Sequence, residues 1–305
     1  MNVQDQNMQG KICLITGATA GIGEAAAMLF AAQGATIVGV GRNPVKIEKS
    51  LQKIKEVTGN PNVTFLLADL SSQQDIRSLA KEYRDRFDRL DVLVNNAGAT
   101  FTKRAESVDG IEMTFALNHL GYFLLTTLLY NLLEKSAPAR VINVSSGLHK
   151  MGRFDFQDVF FQRGYSGGKA YSRSKLANIA FTYELARRAP SQLVTVNAMN
   201  PGLVATNVGA SVGGVRAILK AMVDKIAAKT PQEGAKTILY LAASPDVEGV
   251  TGKYFVNEIS VPSSKKSYDL TFGRNLWDLS EKLVGGSTSP RDERQIKTIE
   301  PNRTI

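Results

Sequence analysis

Tyr171 and Lys175, four residues apart in the run Tyr-Ser-Arg-Ser-Lys, are the side chains whose types and spacing most suggest chemistry. On a helix that spacing puts both on one face, so the ammonium can sit beneath the phenol. A phenol exchanges its proton poorly at neutral pH, with an ordinary pKa of about 10, and a nearby cation brings that value toward working pH. The two together could pass a proton to or from an oxygen. The same spacing also suits an ordinary amphipathic helix, so the pair gains meaning only from what the rest of the chain supplies.

Elements that could position such a site are legible. Short apolar runs alternate with longer helical patterns from Lys11 to about Phe255, the signature of βαβ units. The expected fold class is α/β, a doubly wound parallel sheet with helices on both faces in a single domain. A first strand is predicted over 12–15. It leads into a turn containing Gly17, Thr19, Gly21, Ile22 and Gly23, which opens an alanine-rich helix. Glycines there let the backbone approach a pyrophosphate, whose charge suits the helix N-terminus. Many helices start after glycine, but this turn follows a strand near the chain start, the context a dinucleotide site requires.

The second strand, predicted over 36–40, ends in Gly41-Arg42. A site for NAD usually carries an acid here for the ribose hydroxyls, and no acid occurs from Thr36 to Asn43. Arg42 would instead pair with a 2′-phosphate, which points to NADP(H) over a merely solvated arginine. Lys46 could add charge to that phosphate or simply line a surface helix. After the third strand, over 63–67, come Asp69 and Leu70, where the acid could meet an adenine amine or cap the helix starting near Ser71 or Ser72. The fourth strand, over 92–94, runs into Asn95, Asn96, Ala97 and Gly98. Small residues at that edge would let a cofactor lie across the sheet, and the asparagine amides could brace neighbouring strands. Asn118 falls inside a helix predicted around 115–133, where asparagine is mildly unfavourable. Ser145 and Ser146 follow the fifth strand, over 141–144, and a hydroxyl there could face the same site as Tyr171.

Composition narrows the classes. The 305 residues are 43% apolar, enough for a buried core, and carry a formal net charge of +9. That balance alone is compatible with nucleic acid, a membrane surface or an anionic cofactor. Cys13, the only cysteine, lies in an apolar run and reads as a small core residue in a reducing compartment. With His119 and His149 the only histidines, a transition-metal site is not expected, and His119 reads as a packing or surface residue. Residues 1–10 form a polar extension without signal-peptide features, and the apolar run near 123–133 is too short to span a bilayer. A cytoplasmic protein, with peripheral membrane contact at most, is the expectation.

Together these motifs resemble the classical short-chain dehydrogenases/reductases over nearly the whole chain. Thr16-Gly17-x-x-x-Gly21-x-Gly23, Asn95-Asn96-Ala97-Gly98, Asn118, Ser145, Tyr171-x-x-x-Lys175 and Asn200-Pro201-Gly202 occur in that family's order and approximate spacing. Asn118-His-Leu-Gly, Tyr171-Ser-Arg-Ser-Lys-Leu-Ala-Asn178 and Gly249-Val-Thr-Gly-Lys-Tyr-Phe255 are similar to the retinol dehydrogenase and WW-domain oxidoreductase branch. The resemblance implies a Rossmann-type fold and hydride transfer between NADP(H) and a carbonyl or alcohol. It implies Tyr171 as general acid in reduction, with Lys175 lowering its pKa and binding the nicotinamide ribose. By the same resemblance Ser145 holds the substrate oxygen, Asn118 binds a water leading from Lys175 to solvent through helix backbone and side chain, and Pro201, Gly202 and Thr206 meet the nicotinamide half. It also implies a homo-oligomer and a lipophilic substrate. Animal members of that branch often carry an N-terminal anchor, which residues 1–10 do not show.

Between Ser145 and Tyr171 lie Phe154, Phe156, Phe160, Phe161 and Tyr165, interleaved with basic residues. Single-stranded nucleic acid can use such a pattern, but a flap or wall near a pocket is the expectation at this place, and nucleic acid is not an expected partner. Val215, Ile218, Leu219, Met222 and Ile226 form a helical stripe that suits core packing, a lid or a membrane contact. A helix is predicted around Trp277, within 268–284, closing a domain over 11–284, and residues 285–305 read as a flexible tail. The functional alternative to an oxidoreductase is an NADPH-binding regulator without turnover. A proton-transfer set would then have no use.

Overall fold

A computed structural model of the chain describes residues 7–190, 192–202 and 229–285. Eight strands among them form one sheet in the order β3-β2-β1-β4-β5-β6-β7-β8. They are β1 (Ile12–Thr16), β2 (Thr36–Gly41), β3 (Val63–Leu67), β4 (Val92–Asn95), β5 (Ala139–Val144), β6 (Val194–Asn200), β7 (Tyr254–Val256) and β8 (Ile259–Ser260). All pairings from β3 to β7 are parallel, as the alternating pattern implied. The final pair departs from an all-parallel sheet: β8 folds back antiparallel on β7, because Asn257 and Glu258 both take positive φ (52° and 66°), the geometry of a two-residue hairpin.

Parallel strands need crossovers, and helices supply them on both faces. One layer holds α1 (Gly21–Ala32) and α2 (Pro44–Thr58); the other holds α3 (Gln73–Arg86), α5 (Gly121–Lys135) and α6 (Gly167–Arg188). α7 (Pro231–Ala243) joins α1, and the C-terminal α8 (Leu270–Leu283) lies on α6. Strand alternation sorts the core accordingly. Cys13, Ile15, Ile142 and Val144 pack with α1 and α7, whereas Leu14 and Val141 pack with α5 and α6. Cys13 is therefore the core residue its apolar run suggested.

The helix anticipated around 115–133 is in fact interrupted. α4 (Met113–Phe115) passes through a π turn, Ala116–Leu120, before α5 begins. Its start is fixed by Glu112, whose carboxylate accepts from the backbone N–H of Thr114 at 2.8 Å and Phe115 at 2.9 Å. α8 matches its predicted apolar spacing, with Phe272, Leu276 and Trp277 buried. The Trp277 ring meets Phe123 edge-on at 4.9 Å and stacks on Phe181 at 5.9 Å, under the Arg188 guanidinium.

The sheet order reverses between β1 and β4. In such sheets the crevice at the strands' carboxyl ends is where a ligand can enter, and the ends of β1, β4 and β5 carry the motif residues.

Candidate active site

At the end of β1, Thr16 ties the glycine turn to β4. Its hydroxyl donates to Val94 O (3.2 Å) and accepts from the backbone N–H of Asn96 (2.8 Å) and Ala97 (3.1 Å). Asn96 in turn donates from Nδ2 to Thr16 O at 2.8 Å. The turn packs so tightly here that a Cβ on Gly23 would lie 2.3 Å from Gly17 O and 2.4 Å from Asn96 Nδ2. Only glycine fits, and α1 begins directly beneath a backbone cradle suited to a pyrophosphate. The expected bracing by asparagine is also present. Asn95 Nδ2 donates to Thr126 Oγ1 and Asn143 Oδ1, both at 2.9 Å, joining β4 to α5 and β5.

At the end of β2, Gly41 sits against Thr19, whose Cγ2 would be 2.6 Å from an added Cβ. Arg42 follows, 63% exposed, with its guanidinium 3.7 Å from the Asp69 carboxylate. Arg42, Asp69 and Thr19 thus cluster where an adenosine end would lie. Asp69 does not cap α3. That role falls to Ser72, while Asp69 Oδ1 accepts from the backbone N–H and hydroxyl of Ser71. Leu70 is buried, and its carbonyl lies 2.7 Å from the point a Cβ on Gly121 would occupy.

The chemical end gathers at β4, β5 and α6. Lys175 is 3% exposed; Nζ donates to Val144 O at 3.0 Å and stands 5.5 Å from the Tyr171 ring centre and 5.6 Å from that of Tyr122. A Cβ on Gly98 would come within 3.1 Å of Asn118 Oδ1 and 3.5 Å of Lys175 Nζ, so the Asn-Ala-Gly edge borders these two side chains directly. Asn118, inside the π turn, donates from Nδ2 to Ala99 O and Ser174 Oγ (both 3.0 Å) and accepts from Ala99 N–H (2.9 Å). A π turn inserts a residue into the helix and reorients its side chains, a distortion that recurs at functional sites.

Two expectations change. Ser145, read as the hydroxyl facing the substrate, is 2% exposed and donates to Lys175 O at 2.9 Å. Val141, Asn143 and Ser145 alternate toward the α6 layer, so Ser145 is turned into the packing. Its neighbour Ser146 is the hydroxyl beside the Tyr171 phenol. Sequence reading missed it because the two serines are adjacent, and strand alternation says only that they face opposite sides, not which side α6 covers. The second change concerns charge. Burial pushes Tyr171 up to about 12, with the Ser146 hydroxyl opposing, and burial pulls Lys175 down to about 7. Desolvation is thus the dominant influence on both groups.

Asn200 Oδ1 accepts from Gly202 N–H at 3.1 Å, which shapes the turn holding Pro201 and Gly202. Thr206 and the stripe from Val215 to Ile226 lie outside the described residues. The aromatic segment before Tyr171 is held to α6 by Arg173, which donates to the carbonyls of Arg153 (3.1 Å), Asp158 (2.7 Å) and Val159 (3.0 Å) and stacks 3.6 Å from the Phe161 ring centre. Phe154 packs on Phe115 and Phe272. His119 is a buried packing residue: Ser280 Oγ donates to Leu276 O (2.7 Å) and accepts from His119 Nε2 (2.9 Å). Burial lowers its pKa to about 3, and the nearby Asn178 amide opposes this without closing a normal hydrogen bond. Among the described residues no helix is long and apolar enough to cross a membrane.

Comparison with known proteins identifies the family. Residues 11–217 match the short chain dehydrogenase family. Retinol dehydrogenase 14 of Mus musculus is 40% identical over 291 residues, spanning 91% of this chain and 87% of its own. A crystal structure of an uncharacterised protein from Mycobacterium paratuberculosis superposes with a TM-score of 0.75 at 29% identity, over 95% of this chain and 99% of that one. A Pseudomonas aeruginosa RhlG/NADP active-site complex superposes with a TM-score of 0.67 at 28% identity, over 82% and 95%. The chain belongs to the short-chain dehydrogenases/reductases, a family of oxidoreductases, and within it to the retinol dehydrogenase branch.

Proposed function

We propose that the protein is an NADP(H)-dependent reductase of lipophilic aldehydes or ketones. The observation that carries this reading is the convergence of Tyr171, Ser146 and Lys175 beside Gly98, next to the glycine cradle at the sheet's switch point. The cradle formed by Gly17 and Gly23 fits a dinucleotide pyrophosphate, and Arg42 supplies the cation for a 2′-phosphate. NADP in the RhlG complex supports the same choice. Bound there, the cofactor supplies a hydride.

The residues of the chain do the rest. Tyr171, with its pKa near 12, holds its proton at neutral pH and gives it from Oη to the carbonyl oxygen, the acid role that reduction requires. Ser146 donates a hydrogen bond to that same oxygen as negative charge develops on it. Lys175 keeps its ammonium form when anionic groups lie nearby, because an opposite charge offsets the desolvation that otherwise pulls it to about 7. Both N–H groups of the Asn118 amide are engaged by Ala99 and Ser174, so a water leading to solvent would be held through its amide oxygen or its helix backbone. Relatives named for retinol and for polyprenol favour an apolar substrate.

Following NADPH oxidation over aldehydes and ketones graded in chain length, retinaldehyde included, tests the proposal. Tyr171→Phe should retain NADPH binding and lose about a hundredfold or more in kcat, the range for removing a general acid. Retained turnover in that variant would refute the role. No turnover by the wild type on any carbonyl, despite NADPH binding, would favour a regulator that reads NADPH.

A further inference from the structure

His149 lies in the 3-10 turn Gly147–Met151 that follows Ser146, and it is fully buried. Its ring bridges two main chains. Nδ1 stands 2.8 Å from Ser146 O, and the backbone N–H of Ser264 donates to Nε2 at 3.1 Å. A carbonyl can only accept and an amide N–H can only donate, so the contacts define one neutral tautomer, with hydrogen on Nδ1 and a bare Nε2. The Tyr254 ring meets the imidazole in an edge-type contact, centroids 5.0 Å apart. The Ser146 carbonyl also accepts from the His149 backbone N–H at 3.1 Å, and the Ser146 hydroxyl accepts from Leu148 N–H at 3.2 Å. Ser146 is thereby held by its own turn, and the turn by the segment around Ser264.

We propose that His149 is a positioning residue for Ser146, its Nδ1–H holding the serine's carbonyl so that the hydroxyl stays beside Tyr171. This rests on the reductase reading, in which Ser146 bonds the carbonyl oxygen. The side chain touches neither Tyr171 nor the reacting atoms, and acts only through the Ser146 carbonyl. Of its two bonds, the one from Nδ1 fixes Ser146 directly; the one to Nε2 holds the turn to the C-terminal segment.

Two amide substitutions separate these arms. Asparagine places its amide near the position of Nδ1 and can still donate to Ser146 O; glutamine reaches the position of Nε2 and can still accept from Ser264 N–H. His149→Gln should lower kcat about tenfold with the NADPH KM unchanged, the scale of one lost hydrogen bond, and His149→Asn should recover most of that loss. Equal kcat in the two variants, with an active wild type, would overturn the role and leave the reductase reading intact. A wild type without turnover would instead overturn the reading and the role with it. Nitrogen-15 NMR of the imidazoles gives a readout independent of turnover: the His149 signals should show a neutral ring protonated at Nδ1, and a ring protonated at Nε2 would refute the geometry on which the proposal stands.

Discussion

Lys175→Met should make the protein more stable near neutral pH while abolishing its chemistry. The lysine is 3% exposed and its pKa is pulled from 10.5 to about 7 by burial alone, so the fold disfavours its ammonium. The sign follows: between about 7 and 10.5 the unfolded chain binds the proton and the folded chain does not, so wild-type stability rises with pH across that window. At about 1.4 kcal/mol for each pH unit of difference, the penalty is about 5 kcal/mol near pH 6 and about 2 kcal/mol near pH 9. Methionine removes the charge at similar length and forfeits the bond to Val144 O, a loss of about 1 kcal/mol. Urea unfolding of both proteins without nucleotide should therefore show an advantage of about 4 kcal/mol for the variant near pH 6, shrinking to about 1 kcal/mol near pH 9. A difference that does not change between those pH values would refute the claim that burial sets the lysine's charge. A lysine ammonium held in an apolar setting costs the fold stability, and an anionic cofactor would restore part of it on binding.

The neighbouring serines should separate cleanly: Ser146→Ala lowers kcat about a hundredfold, whereas Ser145→Ala chiefly costs about 1 kcal/mol of stability from its bond to Lys175 O, and the reverse pattern in kinetics and unfolding would reinstate Ser145. Arg42→Leu should raise the NADPH KM by about tenfold to a hundredfold and leave the NADH KM nearly unchanged, a discrimination read from initial rates with the two cofactors. Its exposed contact with Asp69 should contribute little to stability, so equal losses with both cofactors would point to damage at the fold instead. Trp277→Ala should cost about 3–5 kcal/mol, measured by urea unfolding, because it empties the space against the paired rings of Phe123 and Phe181 under α8. A cost below about 1 kcal/mol would mean that α8 is not part of the cooperative core.

What the sequence made legible follows from which residues report locally. The β3 strand at Val63–Leu67 and the α8 helix around Trp277 were readable because apolar period and helical spacing are properties of consecutive residues. The glycine turn was readable for a similar reason, since Gly17, Gly21 and Gly23 follow one another between a strand and a helix, although the close approach of Asn96 to Gly17 and Gly23 is not local. Three features were not local. The π turn at Asn118 depends on how α4 and α5 meet Ala99, Ser174 and Leu70, partners from 19 to 56 positions away, and helical propensity carries no trace of them. The β8 return needs two left-handed residues, Asn257 and Glu258, of which only the asparagine is a usual signal. The exchange of Ser145 for Ser146 turns on which face of β5 the α6 helix covers, a fact that becomes available only once Asn143 is seen bonded to Thr182. Spacing could single out Tyr171 and Lys175 as a pair because they share one helix. It could not choose between two hydroxyls whose difference is the side of a sheet, and that choice decides which serine meets the substrate oxygen.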